Sequence, residues 1–323
     1  MITKLHGRSL SSSMSVARTT AKVRMFLVSD THSMVPLPAS RVFRIPLPKC
    51  DVLIHAGDMT NTGEIFGFER TLDWIKEADA ELKIIIAGNH DLTLDSEWYR
   101  HYGQYFHTTP QNPSQLFASL PSNIHYLNEE SRTFSLSSGA TFRVYGSPWT
   151  PEFGFWAFNY PHNIDRWNPD PAGQRNKTAM DTDPIPENTD ILITHGPPQG
   201  FHDEVFPSGE NVGCPHLRRA IERIRPRLHV FGHIHERHGV TRVTWKEAGG
   251  GEEKRETVAV LGAGDMAALA RSSGACPALE VDVSKSGQAL TENETLVVNA
   301  SVLGVTREAI HAGVLVDMEF PVM

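Results

Sequence analysis

The chain has 323 residues, of which 40% are hydrophobic and 21% charged, a composition typical of a globular protein with one large domain or two ordinary ones. Its net charge of -8 argues against an extended nucleic-acid-binding face, and no hydrophobic run is long enough to cross a bilayer. Three widely spaced cysteines, Cys50, Cys214 and Cys276, argue against a disulfide framework and favour a reducing compartment such as the cytoplasm.

The first 22 residues contain no acidic residue and are rich in serine and threonine. Their basic residues are Lys4, Arg8, Arg18 and Lys22. This composition fits an organelle-targeting peptide or a flexible tail, and the absence of a cleavage signal favours the tail. Residues 23–323 then form one domain, because no segment has the composition of an interdomain linker.

The chain after the tail begins with a predicted strand, helix and strand joined by short links. Apolar runs predict strands over residues 23–29, 51–56 and 83–87. A helix is predicted from about residue 64 to 81, because Phe68, Leu72 and Ile75 would lie on one face. This order indicates a βαβ crossover and therefore neighbouring parallel strands.

The rest of the chain predicts further strands, one more helix and two insertions. Strands are expected over residues 126–127, 132–136, 141–145, 190–194, 228–231, 240–245, 258–261, 296–299 and 314–318, with a helix over 214–225. Residues 150–188 are rich in Pro, Asn and Asp but carry aromatic side chains, which favours a packed excursion over disorder. Residues 249–256 suggest a hairpin tip, and residues 264–295 suggest a second insertion.

Five polar blocks follow apolar runs, so each would lie at the rim of a sheet. They read Asp30-Thr31-His32, Gly57-Asp58, Gly88-Asn89-His90-Asp91, His195-Gly196 and Gly232-His233-Ile234-His235. Asp, Asn and His are ligands suited to hard or borderline divalent cations, and together these blocks offer more ligands than one ion needs.

Each block also has an ordinary structural explanation. Asp30 and His32 are two residues apart, which in an extended chain places both on one face, yet such a sequence is commonly a polar turn. Asn89 could cap a helix, and His195 could be a buried, hydrogen-bonded core residue. In the third block, His90 could act on a substrate while Asp91 holds its tautomer. The joint occurrence of five blocks in this order favours a metal centre.

In that order the blocks resemble the motifs D-x-H, G-D, G-N-H-D, H and G-H-x-H of the calcineurin-like metallophosphoesterase superfamily. No ligand position is substituted, and the blocks extend from Asp30 to His235. Residues 146–149, 189–198 and 299–301 resemble more narrowly the metallophosphoesterase-domain group, which is similar to class III cyclic-nucleotide phosphodiesterases.

The resemblance implies a role for each residue of the blocks. The first metal ion would be held by Asp30, His32, Asp58 and His235. The second would be held by Asp58, Asn89, His195 and His233, so that Asp58 bridges both ions. The catalytic residues would be His90, which contacts the phosphate and protonates or stabilises the leaving oxygen, and Asp91, which orients His90.

The resemblance also implies an α/β fold, a four-layer α-β-β-α sandwich of two mixed β-sheets flanked by helices. The expected reaction is hydrolysis of a phosphodiester, such as a cyclic nucleotide, by hydroxide activated between two divalent metal ions. Manganese is expected first, although Fe, Zn or Ni suit the same ligands. The expected partner is a small phosphodiester or nucleotide, with no membrane. A phosphomonoesterase, a protein phosphatase and a metal-bound regulatory binder with little turnover are the alternatives.

Four further residues are weaker functional candidates. Arg166 could meet a phosphate, but a surface arginine is the commoner case. Trp156 and Trp167 could stack on a nucleobase, although anchoring of the loop is the more frequent reason for such aromatics. His55, three residues before Asp58, could support the metal ligands or simply pack in the core, and the core position is favoured.

Overall fold

Two mixed β-sheets pack face to face, with a helix against the outer face of each. The computed structural model describes residues 19–38, 40, 42–170, 182–245, 254–259, 276–304 and 311–323. The strands of the first sheet are β1 (Thr20–Val28), β2 (Val52–Ala56), β3 (Leu82–Ile86), β4 (Ile124–Tyr126), β13 (Ala278–Asp282) and β15 (Gly313–Pro321). Those of the second are β5 (Glu130–Ser135), β6 (Thr141–Ser147), β9 (Ile191–Thr194), β10 (Leu228–Phe231), β11 (Gly239–Thr244), β12 (Lys254–Ala259) and β14 (Glu294–Asn299).

Four α-helices, three short 3-10 helices (Leu92–Leu94, Gly103–Tyr105 and His235–Arg237) and a two-stranded ladder complete the described elements. The helices are α1 (Ile65–Glu77), α2 (Ser96–Tyr102), α3 (Ser114–Ala118) and α4 (Pro215–Ile224). The ladder pairs β7 (Thr150–Pro151) with β8 (Asn159–Tyr160). No helix in the described ranges is long and apolar enough to cross a membrane.

The first sheet has the strand order β13-β15-β1-β2-β3-β4. Strands β1 to β4 run parallel to their neighbours, while β15 is antiparallel to β1. The second sheet has the order β12-β11-β14-β10-β9-β6-β5, with β14, β10, β9 and β6 parallel. In both sheets the central parallel strands are almost entirely buried and largely apolar, as expected for strands covered on both faces.

Alternating side chains of the central strands bury two separate faces. Met25 and Leu27 of β1 point into the core between the sheets, and Phe26 points to the outer layer. There Phe26 packs in the same cluster as Leu72 and Ile75 of α1. The second sheet repeats this arrangement on its outer face. Its buried cluster contains Leu192, Phe231, Val297, Leu217, Ile221 and Ile224, the last three from α4. The prediction of a four-layer α/β sandwich is confirmed.

Several predicted boundaries differ from the observed ones. Strand β1 begins at Thr20, so residues 20–22 belong to the sheet although they were assigned to the tail. Helix α1 ends at Glu77 rather than near residue 81, because Ala78 has an extended ψ of 133° and the chain must reach β3.

Strand β13 falls inside the predicted insertion of residues 264–295 and pairs in parallel with β15. It forms an edge of the first sheet, so this part of the segment contributes a strand to that sheet. Residues 254–256 of the predicted hairpin tip belong to β12, and residues 249–253 lie outside the described part of the chain.

The aromatic residues of the 150–188 segment are divided between anchoring and exposure. Tyr160 and Trp167 are fully buried, and the indole N–H of Trp167 donates to the Tyr160 hydroxyl at 2.8 Å. Arg166 is buried as well, with its guanidinium 3.8 Å from the Trp149 ring centroid and 2.7 Å from a Glu129 carboxylate oxygen. The predicted surface position of Arg166 is therefore wrong, and this residue anchors the segment.

Candidate metal centre

The five polar blocks meet at the edge where the carboxyl ends of the central parallel strands of both sheets come together. Backbone hydrogen bonds fix these ends to one another: Asp30 N donates to Gly57 O at 2.9 Å, and Gly232 N donates to His195 O at 3.0 Å. Ser29 N donates to Ala300 O at 2.9 Å, which joins the first sheet to the second. Side chains from both sheets therefore point into one shared space.

Four of the predicted ligands have left-handed backbone conformations. The φ angles are 55° at Asp30, 44° at His32, 54° at Asp58 and 69° at His233. Such angles are uncommon for residues with a side chain and are concentrated at functional sites. Asp30 and His32 converge because the chain turns sharply after β1, and the extended geometry expected from their spacing is not what joins them.

The first predicted ligand set forms a tight cluster. Ligand atoms of Asp30, His32, Asp58 and His235 all lie within 4.8 Å of one another. His235 Nε2 is 3.3 Å from Asp30 Oδ1, and His32 Nε2 is 3.5 Å from Asp58 Oδ2 and 3.4 Å from His235 Nε2. Because both carboxylates are buried, a cation at their centre would replace lost hydration.

The second predicted set lies on the other side of Asp58. His195 Nε2 is 3.4 Å from Asp58 Oδ2 and 2.9 Å from Asn89 Oδ1. The ring of His233 is 5.0 Å from the ring of His195, centroid to centroid. The other ring nitrogen of His195, Nδ1, is 3.0 Å from Ala56 O and must donate to it, because a carbonyl cannot donate. His195 therefore directs Nε2 toward Asp58 and Asn89.

Asp58 Oδ2 is thus shared by the two ligand sets, while Asp58 Oδ1 accepts a hydrogen bond of 2.8 Å from His90 N. Burial alone would raise the pKa of Asp58, but the neighbouring His195 and His90 charges outweigh it and hold that pKa well below its ordinary value. Burial would lower the pKa of His195, and the Asp58 charge reverses this and raises it to about 9. The centre is organised around anionic carboxylates.

Two glycines allow the rims to approach this closely. A Cβ atom at Gly88 would lie 2.2 Å from Asp58 Oδ1, and one at Gly232 would lie 2.0 Å from Asp30 Oδ2. Both distances are far inside van der Waals contact, so glycine is required where these backbones pass the carboxylates.

The structure corrects the expected role of Asp91. His90 Nδ1 is 2.7 Å from Asn61 O, so this carbonyl fixes the ring with a proton on Nδ1 and leaves Nε2 available. The Asp91 carboxylate instead accepts from Met59 N at 3.1 Å, Thr60 N at 2.9 Å and Gly88 N at 2.9 Å. Asp91 ties the loop after β2 to the loop after β3, and it is a positioning residue.

The comparisons with known proteins agree with this geometry. Residues 23–237 match the family model described as calcineurin-like phosphoesterase. The chain belongs to the calcineurin-like phosphoesterase family. This family model extends over the first 215 residues after the predicted tail, and it includes all five polar blocks.

Among individual relatives of this calcineurin-like phosphoesterase, the human and mouse proteins named metallophosphoesterase domain-containing protein 1 are each 39% identical over 229 residues. The match covers 67% of this chain and 62% of either relative, so this chain spans less than two thirds of their length. A probable rhamnogalacturonate lyase C of Emericella nidulans is 35% identical over 226 residues, 69% of this chain but 18% of that protein. The predicted superfamily and its metallophosphoesterase-domain group are confirmed.

The residues of this calcineurin-like site fit divalent cations. Metal–ligand bonds of about 2.0–2.2 Å place ligand atoms on opposite sides of an ion slightly more than 4 Å apart, which agrees with the spread of the first cluster. The donor set is two carboxylates, four imidazoles and one amide oxygen, which suits Mn, Fe, Zn or Ni.

Two buried histidines lie behind the ligands. For His55 a core position was favoured over support of the ligands, and His229 was not singled out from the sequence. His55 Nε2 is 2.9 Å from Thr31 Oγ1, and Thr31 stands between the predicted ligands Asp30 and His32. In the second sheet, His229 Nε2 is 2.8 Å from Thr194 Oγ1, and Thr194 precedes His195. Burial lowers the pKa of both His55 and His229 to about 3, so both rings are neutral. The only sequence signal is a histidine inside an apolar strand beside a ligand-bearing strand.

Substituting Gly232→Ala should lower metal affinity strongly, because the added Cβ would displace the Asp30 carboxylate. We expect a loss of at least about tenfold, the scale on which metal-site supports act. Titration with Mn²⁺ followed by calorimetry measures this. The control is Gly209→Ala, where the new Cβ would lie 3.8 Å from Glu204 and only backbone strain is added. Equal Mn²⁺ affinity in the Gly232 variant and the wild type would contradict the assignment of Asp30 and its neighbours to a metal site.

Substituting Asp91→Ala should destabilise the fold, because three backbone N–H groups would lose their acceptor. A cost of at least about 2 kcal/mol in the free energy of unfolding is expected. Urea denaturation measures it. Asp79→Ala is the control, since the Asp79–Lys49 ion pair is largely exposed and should contribute little. A variant of Asp91 as stable as wild type would show that these donors find other partners.

Proposed function

We propose that this chain is a dinuclear metal-dependent hydrolase that cleaves phosphodiesters, with small nucleotide-like diesters as first choice. The observation that carries the proposal is the position of Asp58 Oδ2, which lies 3.5 Å from His32 Nε2 and 3.4 Å from His195 Nε2. One carboxylate oxygen facing two separate ligand sets is the arrangement that holds two cations close together. The family match supports the same chemistry.

The first ion would be held by Asp30, His32, Asp58 and His235, and the second by Asp58, Asn89, His195 and His233. Bound divalent cations neutralise the charge of the phosphate and make the attacking water more acidic. The chain itself contributes the fixed positions of the ligands, through the left-handed turns and the glycines that pass the carboxylates. Pre-organisation of this kind removes the cost of rearranging charged groups during the reaction.

His90 is proposed to act on the leaving oxygen. Its Nδ1–H is committed to Asn61 O, so Nε2 is the atom that can hold a proton for the departing alkoxide or phenoxide. Its ring lies 4.7 Å from that of His32, centroid to centroid, which places it beside the first ligand cluster. Asn61 keeps the imidazole in this orientation, as a hydrogen-bonded carbonyl does for many catalytic histidines.

Two observations support a diester over a monoester. The chain resembles the group that is similar to cyclic-nucleotide phosphodiesterases, and aromatic side chains flank the site. Trp156 lies 3.9 Å from the His90 ring and Phe153 lies 6.4 Å from the His233 ring, both measured between centroids. A diester has an additional organic group to place, and an apolar rim offers room for it.

The substitutions Asn89→Ala and His233→Ala should each abolish turnover, because each would remove a ligand of the second ion. We expect kcat to fall by at least about 100-fold. Elemental analysis should find two ions per wild-type chain and fewer in the variants, and circular dichroism should show an unchanged fold. His125→Ala, a partly buried histidine on β4 away from the rim, is the control. Full activity in either ligand variant would overturn the proposed function.

The diester preference can be measured directly with Mn²⁺-loaded protein. We expect bis(para-nitrophenyl) phosphate to be cleaved with a higher kcat/KM than para-nitrophenyl phosphate, and chelation followed by dialysis to remove both activities. A strong preference for the monoester would instead make the chain a phosphomonoesterase. Activity that survives complete metal removal would exclude the dinuclear mechanism.

A further inference from the structure

A short aromatic segment lies beside the candidate metal centre and contacts both His90 and His233. This segment, here called the aromatic loop, comprises residues 152–158 between β7 and β8. It contains Phe153, Phe155, Trp156 and Phe158. Phe158 is buried, Trp156 is partly buried, and Phe153 and Phe155 are exposed. The loop therefore presents two apolar rings to solvent beside a polar site.

Gly154 separates the two exposed phenylalanines and directs them apart. Its φ of 60° is a left-handed conformation that glycine adopts without strain. On one side of it, the Phe153 ring lies 6.4 Å from the His233 ring at an interplanar angle of 86°. On the other side, Phe155 packs against Tyr102 at 4.8 Å and Trp98 at 5.4 Å, again between centroids. Only Phe153 is directed toward a predicted metal ligand.

The exposure of these rings is unusual within the described chain. Phe153 is 67% exposed and Phe155 is 49% exposed. Four of the ten large hydrophobic side chains exposed in the described ranges are Tyr102, Tyr105, Phe153 and Phe155, which gather around this loop. An apolar patch next to a polar centre is typical of a binding surface, and Phe153 is the member of this patch that lies beside a predicted ligand.

Hydrogen bonds fix the position of the aromatic loop relative to the predicted metal ligands. Ala157 N donates to the backbone oxygen of Asn89 at 3.3 Å, and Phe158 N donates to Asp95 Oδ2 at 3.0 Å. Glu152 N donates to Tyr160 O at 2.9 Å, which closes the other end. Because Asn89 is a predicted ligand, the position of the loop is fixed relative to the second metal position.

We propose that Phe153 is a specificity-determining residue that binds a flat aromatic group on the ester oxygen retained by phosphorus. Trp156 packs on His90, the residue proposed to serve the leaving oxygen, so the leaving group departs along Trp156. Phe153 lies beside a different residue of the site, His233, and the proposal places the group that stays on phosphorus there. Its exposed ring offers an edge and a face to an aryl group or a nucleobase. This inference rests on the proposed phosphodiesterase function.

Three diesters with the same para-nitrophenoxide leaving group test the proposal. Their retained groups are methyl, para-nitrophenyl and thymidine, so only the group facing Phe153 differs. In Phe153→Ala we expect KM to rise about tenfold for the para-nitrophenyl and thymidine diesters, with kcat within about twofold and the methyl diester unaffected. Phe153→Tyr should restore KM. Phe155→Ala is the matched control, an exposed phenylalanine of the same loop that is directed away from His233, and it should change none of the three.

An equal change for all three diesters, or no change for any, would overturn the role of Phe153. Binding of diphenyl phosphate and dimethyl phosphate to the Mn²⁺-loaded protein, measured by calorimetry, separates this result from failure of the proposed function. Suppose that the wild type cleaves no diester but that Phe153→Ala weakens binding of diphenyl phosphate about tenfold. The subsite would then stand, and the proposed enzymatic function would be wrong. If Phe153→Ala and Phe155→Ala instead both weaken adsorption to phospholipid vesicles while leaving both ligands unaffected, the aromatic loop is a membrane contact and the subsite is wrong.

Discussion

The burial of two carboxylates, Asp30 and Asp58, is the constraint on which the rest of the centre depends. Both are almost completely removed from solvent, and like charges in a poorly solvated space repel unless positive charge surrounds them. His195 and His235, which follow strands of the second sheet, supply that environment, and the carboxylate charge raises the pKa of each because it outweighs the effect of burial. A pair of divalent cations would satisfy the same demand more completely. The predicted ligands are therefore arranged to bind cations, and contacts within the protein hold them in place before any substrate binds.

The fold meets this constraint by bringing the carboxyl ends of two sheets together. Parallel strands end at a common edge, so β1, β2 and β3 deliver one group of side chains and β9 and β10 deliver the other. Each sheet then supports its ligands in the same way, with a neutral histidine of the neighbouring strand bonded to a threonine beside a ligand: His55 to Thr31, and His229 to Thr194. The left-handed turns at the ligands cost conformational energy, which the packed strands behind them offset.

Apolar periodicity predicted most of the strands and both outer helices, and strand-end residues marked the polar blocks, because these are local signals. The sandwich of two sheets was an expectation from the family resemblance. The sequence was less informative where the outcome depends on tertiary contact. Asn61 orients His90 in place of Asp91, and the sequence did not predict this because nothing in the block shows that a backbone carbonyl from the loop after β2 reaches His90. Strand β13 was missed because its short alternating pattern lies in a mixed segment, and only its pairing with β15 identifies it. The sequence predicted that Asp30 and His32 converge through an extended chain, whereas they converge through a left-handed turn. Residues other than glycine rarely adopt this conformation, so their identity does not indicate it.

The residues of the metal centre and those of the aromatic loop differ in how freely they can be substituted. Residues at the rims touch carboxylates, and the space left by Gly88 and Gly232 admits no additional atom. The aromatic loop, by contrast, contacts the centre through rings and one backbone hydrogen bond to Asn89, so its side chains can change without moving a ligand. Phe153 and Phe155, on either side of Gly154, also contact different neighbours, so each can be substituted without affecting the other. If the proposed subsite holds, chemistry common to the family resides in the strand ends, and the choice of substrate resides in an excursion that is anchored by buried Tyr160 and Trp167.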